Sequence, residues 1–252
     1  MMKYSVCVDA LYMNNNEKDL FAALKEIDAV GYKDFEFWTW WDKDLDRLVS
    51  VKDELGMNLV ACCTKFISLT DPAKRTDYLK GLEESIAVAK KLGTNMLITQ
   101  VGDDTGTDRK FQHDSVVQGL TACAQMLKDA GITMVFEPLN TKVDHKRYYL
   151  YSSDEGFEIA REVGSPNIKL LYDCYHQQIM EGDLIRCACA NIHLIGHMHA
   201  AGNPGRHELS SGELNYAGIF KAMDDAGYKG CMGLEYFPQR APTEGLREIL
   251  KY

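Results

Sequence analysis

The sequence predicts an α/β protein, a single (β/α)8 TIM barrel spanning residues 1–252, and three observations lead there. A unit of amphipathic helix, glycine, short spacer and apolar strand recurs along the chain. Its strands are short and nearly continuous in apolar residues, as strands of a parallel sheet buried on both faces must be. The first strand-like segment runs into Asp9-Ala10-Leu11-Tyr12-Met13, which lacks the Gly-x-Gly-x-x-Gly turn of a dinucleotide-binding open sheet. An open doubly wound sheet is the alternative, but eight β/α units in 252 residues suit the closed barrel better.

Taken in order, the first strand covers Tyr4 to Asp9. Ile27-Asp28-Ala29-Val30-Gly31 ends a helix before Phe35-Glu36-Phe37-Trp38, and Glu54-Leu55-Gly56 precedes Leu59-Val60-Ala61-Cys62. Lys91-Leu92-Gly93 leads to Met96-Leu97-Ile98-Thr99, and Asp129-Ala130-Gly131 to Met134-Val135-Phe136. Glu162-Val163-Gly164 leads to Ile168-Lys169-Leu170-Leu171, and Asp225-Ala226-Gly227 to Cys231-Met232-Gly233-Leu234. A glycine just past a helix end supplies the left-handed residue of a C-cap. The double-length gap between Gly164 and Gly227 holds one more unit, ending at Ala190-Asn191 before a strand at Ile192-His193-Leu194-Ile195-Gly196-His197. Two helix starts are explicit. Asp71-Pro72 places an N-cap acceptor before a proline at the first helical position, with Leu79, Leu82, Ile86 and Ala89 as the apolar stripe. Ser153-Asp154-Glu155 opens another helix, with Phe157, Ala160 and Val163 inward, and Asn215 is an N-cap before Tyr216. No Pro/Ser-rich linker divides the chain, so one domain is expected.

Bulk properties narrow the function classes. A net charge of −9 argues against nucleic acid and anionic membrane surfaces as partners, both of which want a basic face. No apolar stretch has the length to span a bilayer, and the first residues lack the pattern of a signal peptide. The eight cysteines lie mostly inside apolar strand or helix patterns, and Cys187-Ala188-Cys189 has the wrong spacing for a zinc knuckle or redox pair. Reduced thiols in a cytoplasmic protein are the expectation.

Four consecutive strands then break their own pattern. In Val135-Phe136-Glu137-Pro138, Leu171-Tyr172-Asp173-Cys174, His197-Met198-His199-Ala200 and Gly233-Leu234-Glu235-Tyr236 a metal-competent side chain interrupts an apolar run near its C-terminal end. An ionisable group on a doubly buried strand needs a partner, a metal or a task. Alternation along the strands puts Glu137 with Val135, Asp173 with Leu171, and His199 with His197 on one face each, at the barrel end where active sites form. Glu137, Asp173, His199 and Glu235 make a mixed oxygen and nitrogen set suited to a divalent metal ion such as Mn2+, Mg2+ or Co2+, with Zn2+ also compatible. Without a cation, three crowded carboxylates would repel and one would take up a proton. Asp9 and Glu36 also end strands and are read as structural or loop-capping. His197, one layer below His199, is read as its supporting partner or its substitute. His113 and His193 are read as surface or core residues. His176 stands at the rim as a substrate hydrogen-bond donor or caps the following helix. Arg206, in a polar loop after His199, offers its guanidinium to substrate oxygens or pairs with Glu208 or Glu213 on the surface. The aromatic run at 35–41 is either an apolar wall for the substrate or an oligomer contact.

At these segments the chain resembles the hydroxypyruvate isomerases, members of the wider xylose-isomerase-like barrel superfamily of sugar isomerases and epimerases. The residues that carry the resemblance are Glu137-Pro138-Leu139-Asn140, Asp173-Cys174-Tyr175-His176, Pro204-Gly205-Arg206-His207-Glu208 with Gly212-Glu213-Leu214-Asn215, and Gly233-Leu234-Glu235-Tyr236. The resemblance implies that Glu137 and Glu235 are the catalytic acid/base pair and also metal ligands, with Asp173 and His199 completing the metal set. It implies that His176 and Arg206 bind substrate oxygens. One residue departs: hydroxypyruvate isomerases typically carry glutamine where His199 stands, and the ketose 3-epimerase branch carries histidine.

The implied activity is an intramolecular oxidoreduction, in which a proton moves next to the carbonyl of a small hydroxy-keto acid or unphosphorylated sugar through an enediolate. Isomerisation leads and 3-epimerisation is the alternative, in a homo-oligomer. Two rivals belong to other classes. A phosphodiesterase like endonuclease IV would want histidines on the early strands and a basic groove. A non-catalytic sugar-binding barrel would not need Glu137 and Glu235 together.

Overall fold

The structure, a computed structural model, describes residues 2–13 and 19–252. Eight parallel strands close into one barrel in sequence order, each neighbour paired with the next and the last with the first. They are β1 (Lys3–Cys7), β2 (Asp34–Phe37), β3 (Asn58–Cys63), β4 (Met96–Thr99), β5 (Thr133–Phe136), β6 (Ile168–Asp173), β7 (Ile195–Ala200) and β8 (Cys231–Leu234). The helices are α1 (Leu20–Val30), α2 (Leu45–Glu54), α3 (Arg75–Leu92), α4 (Arg109–Ala130), α5 (Ser153–Val163), α6 (Cys174–Met180), α7 (Leu184–Ala190), α8 (Tyr216–Asp225) and α9 (Pro242–Ile249).

Local chemistry sets the ends of these elements. Asp44, Asp108, Ser152 and Asn215 each accept a backbone N–H from the first turn of α2, α4, α5 and α8. Gly31, Gly93, Gly131 and Gly164 close α1, α3, α4 and α5 in the left-handed conformation, which a side chain would oppose. Three expectations shift. Asp71 caps a short 3-10 turn at Pro72–Lys74 that leads into α3, and Tyr78, not Leu79, is the fully buried residue at the start of the stripe. The residues before β7 form a 3-10 turn at Ile192–Leu194, so that strand begins at Ile195 and runs through His199. Two helices, α6 and α7, fill the space between β6 and β7.

The large hydrophobic core lies between barrel and helices, and a smaller apolar group fills part of the lumen with Ala61, Cys63, Ile98, Val135 and Leu171. Val135 and Leu171 therefore face inward, and so do the residues two positions further on, Glu137 and Asp173. Across β6 and β7, Leu171 is level with His197 and Asp173 with His199. The β1, β2 and β7 side of the lumen is polar instead, with Ser5, Glu36, His197 and His199 all buried there. Half the barrel is packed like an ordinary core, and the other half is a buried ionic network that rises to the mouth.

Among the described residues no helix is long and apolar enough to cross a membrane. All eight cysteines are free thiols. His193 is exposed, and His113 lies on the helical surface between Glu155 and Glu162.

Candidate active site

The C-terminal ends of β5 to β8 deliver Glu137, Asp173, His199 and Glu235 to one place, each 0–5% exposed. One ligand-capable atom from each of Glu137, Asp173, His176 and Glu235 lies within 4.8 Å of the others. His199 Nδ1 approaches the same group, 3.4 Å from Glu235 Oε2 and 3.8 Å from Glu137 Oε1. Glu137 Oε1, Asp173 Oδ2 and His199 Nδ1 are buried yet have no hydrogen-bond partner. Buried polar atoms are seldom left so, and convergent orphan carboxylate oxygens with the free Nδ1 of His199 are the donor set a divalent cation takes. The residues fit a metal.

His176 departs from the rim position expected for it. It sits fully buried in the first turn of α6, where Asp173, not His176, is the cap: Asp173 Oδ1 accepts from Tyr175 N at 2.7 Å. The Asn140 backbone N–H and side-chain amide both point at His176 Nδ1, at 3.2 and 2.7 Å. Asn140 Oδ1 is already engaged by the N–H groups of Val143 and Asp144, so its amide nitrogen is the donor. Nδ1 therefore accepts, and in a neutral imidazole Nε2 must carry the hydrogen. That N–H faces the carboxylate group, 3.6 Å from Asp173 Oδ2.

Arg206 is likewise buried, and it pairs with Glu235 rather than with Glu208 or Glu213. Its Nη2 bonds Glu235 Oε2 and lies 4.0 Å from Asp173 Oδ2, while its Nε donates to the Glu235 carbonyl at 3.3 Å. Its backbone has φ 58°, a left-handed conformation uncommon for a non-glycine residue and characteristic of functional positions. The other Glu235 oxygen accepts from Trp38 Nε1 at 2.6 Å.

The aromatic run divides. Phe35 and Phe37 are buried in the core, Trp40 is nearly so, and Trp38 faces the site. Only Trp41 of the three tryptophans is largely exposed, in edge contact with Phe66. Trp38 and Phe66 line a cavity of about 840 Å3 that Glu137 and Glu235 also line, and the remaining acidic residues of its lining, Asp71, Asp103, Asp104 and Asp144, share it with Lys74 and Arg206.

Electrostatics separates the two glutamates. Burial lifts Glu137 well above the usual carboxylate range; His199 opposes this, and Glu235 and Asp173 reinforce it. Burial would lift Glu235 too, but Arg206, His199 and the Trp38 N–H together bring it well below that range. Asp173 is raised by burial against the pull of Arg206 and His199. Burial disfavours a charge on His199, yet Glu235 and Glu36 raise it well above the ordinary imidazole value. Burial and the nearby Arg206 hold His176 neutral.

Glu36, read from sequence as structural, lies directly against His197 and His199, and Trp38, two residues on, reaches Glu235. The same signal that marked the other four was present in Phe35-Glu36-Phe37, a charge inside an apolar strand. Asp9 is a loop cap as expected, accepting from Trp38 N at 2.7 Å and pairing with Lys43.

Comparison with known proteins identifies the family. A family profile described as xylose isomerase-like TIM barrel matches residues 21–252, and the chain belongs to that family. Within it, the chain is a hydroxypyruvate isomerase-like member and an enzyme of the isomerase class. The 2-oxo-tetronate isomerase of Cupriavidus necator is 35% identical over 182 residues, which cover 72% of this chain and 70% of that one. The hydroxypyruvate isomerase of Escherichia coli K12 is 29% identical over the full length of both chains. A crystal structure titled AP endonuclease, family 2, from Brucella melitensis superposes with TM-score 0.94 at 25% identity, covering 100% of this chain and 99% of that one. D-psicose 3-epimerase from Clostridium cellulolyticum H10, solved with D-tagatose, gives TM-score 0.82 at 18% identity over 99% and 97% of the two chains and shares the fold.

Proposed function

We propose that this chain is a divalent-metal-dependent isomerase that moves a proton next to the carbonyl of a small hydroxy-keto acid or unphosphorylated sugar, interconverting aldose and ketose forms. The observation that carries this reading is the convergence of Glu137 and Glu235 beside Asp173, with Glu235 held by Trp38 and Arg206 and Glu137 Oε1 left without a partner.

Glu137, Asp173, His199 through Nδ1, and Glu235 would hold the cation; Mn2+, Mg2+ and Co2+ suit that set, and Zn2+ is compatible. When bound, it supplies Lewis-acid stabilisation of the enediolate and keeps Glu137 ionised. Glu235, fixed by Trp38 and Arg206, takes the proton from the substrate carbon, and Glu137 serves the other end of the transfer. His176 donates Nε2–H to a substrate oxygen rather than lending a lone pair, because its Nδ1 is already an acceptor. Arg206 screens Glu235 from Asp173 and presents its remaining N–H groups to substrate oxygens. Trp38 and Phe66 cover the reacting carbons and exclude water.

A second reading, 3-epimerisation of a ketose, is favoured by one residue: His199 is a histidine where the isomerase pattern has glutamine. The same two glutamates would then act on opposite faces of one carbon. Phosphodiester cleavage is disfavoured, since all seven histidines follow residue 112 and the cavity lining around Lys74 carries an excess of aspartates over basic residues and is no basic groove. A cytoplasmic setting agrees with eight free thiols, and the exposed Trp41 and Phe66 at the mouth offer a contact for homo-oligomerisation.

Solvent-deuterium exchange followed by NMR tests the reading. The protein with Mn2+, and again after EDTA, is given hydroxypyruvate, tetroses, pentoses, fructose and tagatose. Metal-dependent label at one carbon supports proton transfer, and its position separates isomerase from epimerase. Absence of exchange across the panel with metal bound would refute the proposed substrate class.

A further inference from the structure

Beneath the carboxylates, one acidic side chain touches two imidazoles. Glu36 Oε2 accepts from Ser5 Oγ at 2.9 Å and lies 2.9 Å from His197 Nε2, and Glu36 Oε1 lies 3.0 Å from His199 Nε2. Glu36, His197 and His199 are each 0–1% exposed. Two histidines and a carboxylate could pass for a second metal site. Glu36 Oε2 is already taken by Ser5 and His197, which leaves Oε1 and His199 Nε2 facing each other with no other partner. The group is a support, and β8 has been shaped around it. A Cβ on Gly233 would stand 2.4 Å from Glu36 Oε1 and 2.5 Å from His199 Cδ2, so only glycine lets carboxylate and ring meet there. Ser5 and His197 occupy one Glu36 oxygen and so aim the other at His199.

We infer that Glu36 is a positioning residue: its Oε1 stands 3.0 Å from His199 Nε2, neither atom having another partner, so that Nδ1 is the nitrogen presented to Glu137 and Glu235, and it thereby sets the affinity of the site for a divalent cation. An imidazole's two nitrogens have complementary roles, and whichever one a neighbouring carboxylate engages decides what the other offers. The inference rests on the proposed reading of His199 as a ligand. It adds that the ligand is prepared from β2, 163 residues away in sequence, by a side chain that touches neither cation nor substrate.

The test measures metal binding, not turnover. Chelator-treated wild type, Glu36→Gln, His199→Ala and the double variant are titrated with Mn2+ by calorimetry, with folding checked by circular dichroism. Glu36→Gln should weaken Mn2+ binding by roughly 10- to 100-fold, the usual consequence of removing a ligand's outer partner. In the His199→Ala background the same change should cost less than about 3-fold, because coupled residues are non-additive. Wild-type affinity in Glu36→Gln, or an equal loss with and without His199, would overturn the inference. The second of these results would mark a plain charge effect. Wild-type affinity in His199→Ala would instead refute the ligand reading beneath it. If Glu36→Gln does not fold, Ser5→Ala carries the test, since it frees the oxygen that aims Glu36. A measurable loss of Mn2+ affinity then supports the inference, and an unchanged value overturns it.

Discussion

Loading the site with a cation should expel two protons, and the count follows from the buried groups themselves. Without a cation, Glu137 is held protonated by burial and by Glu235 and Asp173, and His199 is held as imidazolium between Glu235 and Glu36. Glu235 keeps its charge beside Arg206, His176 is neutral throughout, and Asp173, raised by burial but opposed by Arg206 and His199, is counted as ionised. A cation needs Glu137 ionised and His199 Nδ1 bare, so each must release one proton. Each released proton makes binding about tenfold tighter per pH unit, or about 1.4 kcal/mol, while the group is protonated in the empty site. Mn2+ affinity should therefore climb by up to about 100-fold between pH 6 and 7. Calorimetric titration in buffers of different ionisation enthalpy reads the proton number directly. Glu137→Gln, which has no proton to lose there, should lower the count from about two to about one. An affinity that is flat between pH 6 and 8, with no buffer-dependent heat, would refute the assignment of charge in this site.

Glu137→Gln and Glu235→Gln should each slow deuterium exchange by roughly 10²- to 10⁴-fold, the usual contribution of a positioned acid or base; a variant within a few-fold of wild type would remove that residue from the proton transfer. Gly196→Ala should destabilise, because its Cβ would sit 2.6 Å from Val135 Cγ1, a stiff side chain in the lumen. An overpacking cost of about 1–3 kcal/mol exceeds the 0.4–1 kcal/mol gained by restricting the unfolded chain, so the melting midpoint should fall by about 2–4 °C per kcal/mol. An equal or higher midpoint would count against the packing described. His113, raised by Glu162 and Glu155 against the effect of burial, adds stability that is fully present below its unfolded value near 6.5 and is lost as pH rises through its higher folded value. The stability difference between wild type and His113→Gln should be under about 1 kcal/mol for so accessible a group, largest near pH 5 and gone by about pH 9. A difference that grows with pH would reverse the assigned pairing.

Much of this molecule was legible in one dimension because its signals are local. A glycine that ends a helix and an apolar run that follows it lie within a dozen residues of each other, and the repetition of that unit fixes the number of strands. Alternation along a strand is equally local, so Glu137, Asp173, His199 and Glu235 could be placed on the inward face from their neighbours alone. Periodicity starts the strand before His199 three residues early, because it does not separate a 3-10 turn such as Ile192–Leu194 from a strand over so short a span. The roles of the groups around the four were not legible. Arg206 could equally be a surface arginine until its loop folded back over β8, and for His176 a capping role stood behind the substrate role until Asn140 took its Nδ1.

The sequence by itself determined the barrel, the end of it that bears the chemistry and the four side chains that converge there, because each depends on residues adjacent along the chain. Tertiary structure alone decided which partner each of those side chains meets. Trp38 reaches Glu235 across 197 residues, and Glu36 reaches His197 across 161. Those contacts set charge, tautomer and aim, and they come into being only when barrel closure brings the first strands beside the last.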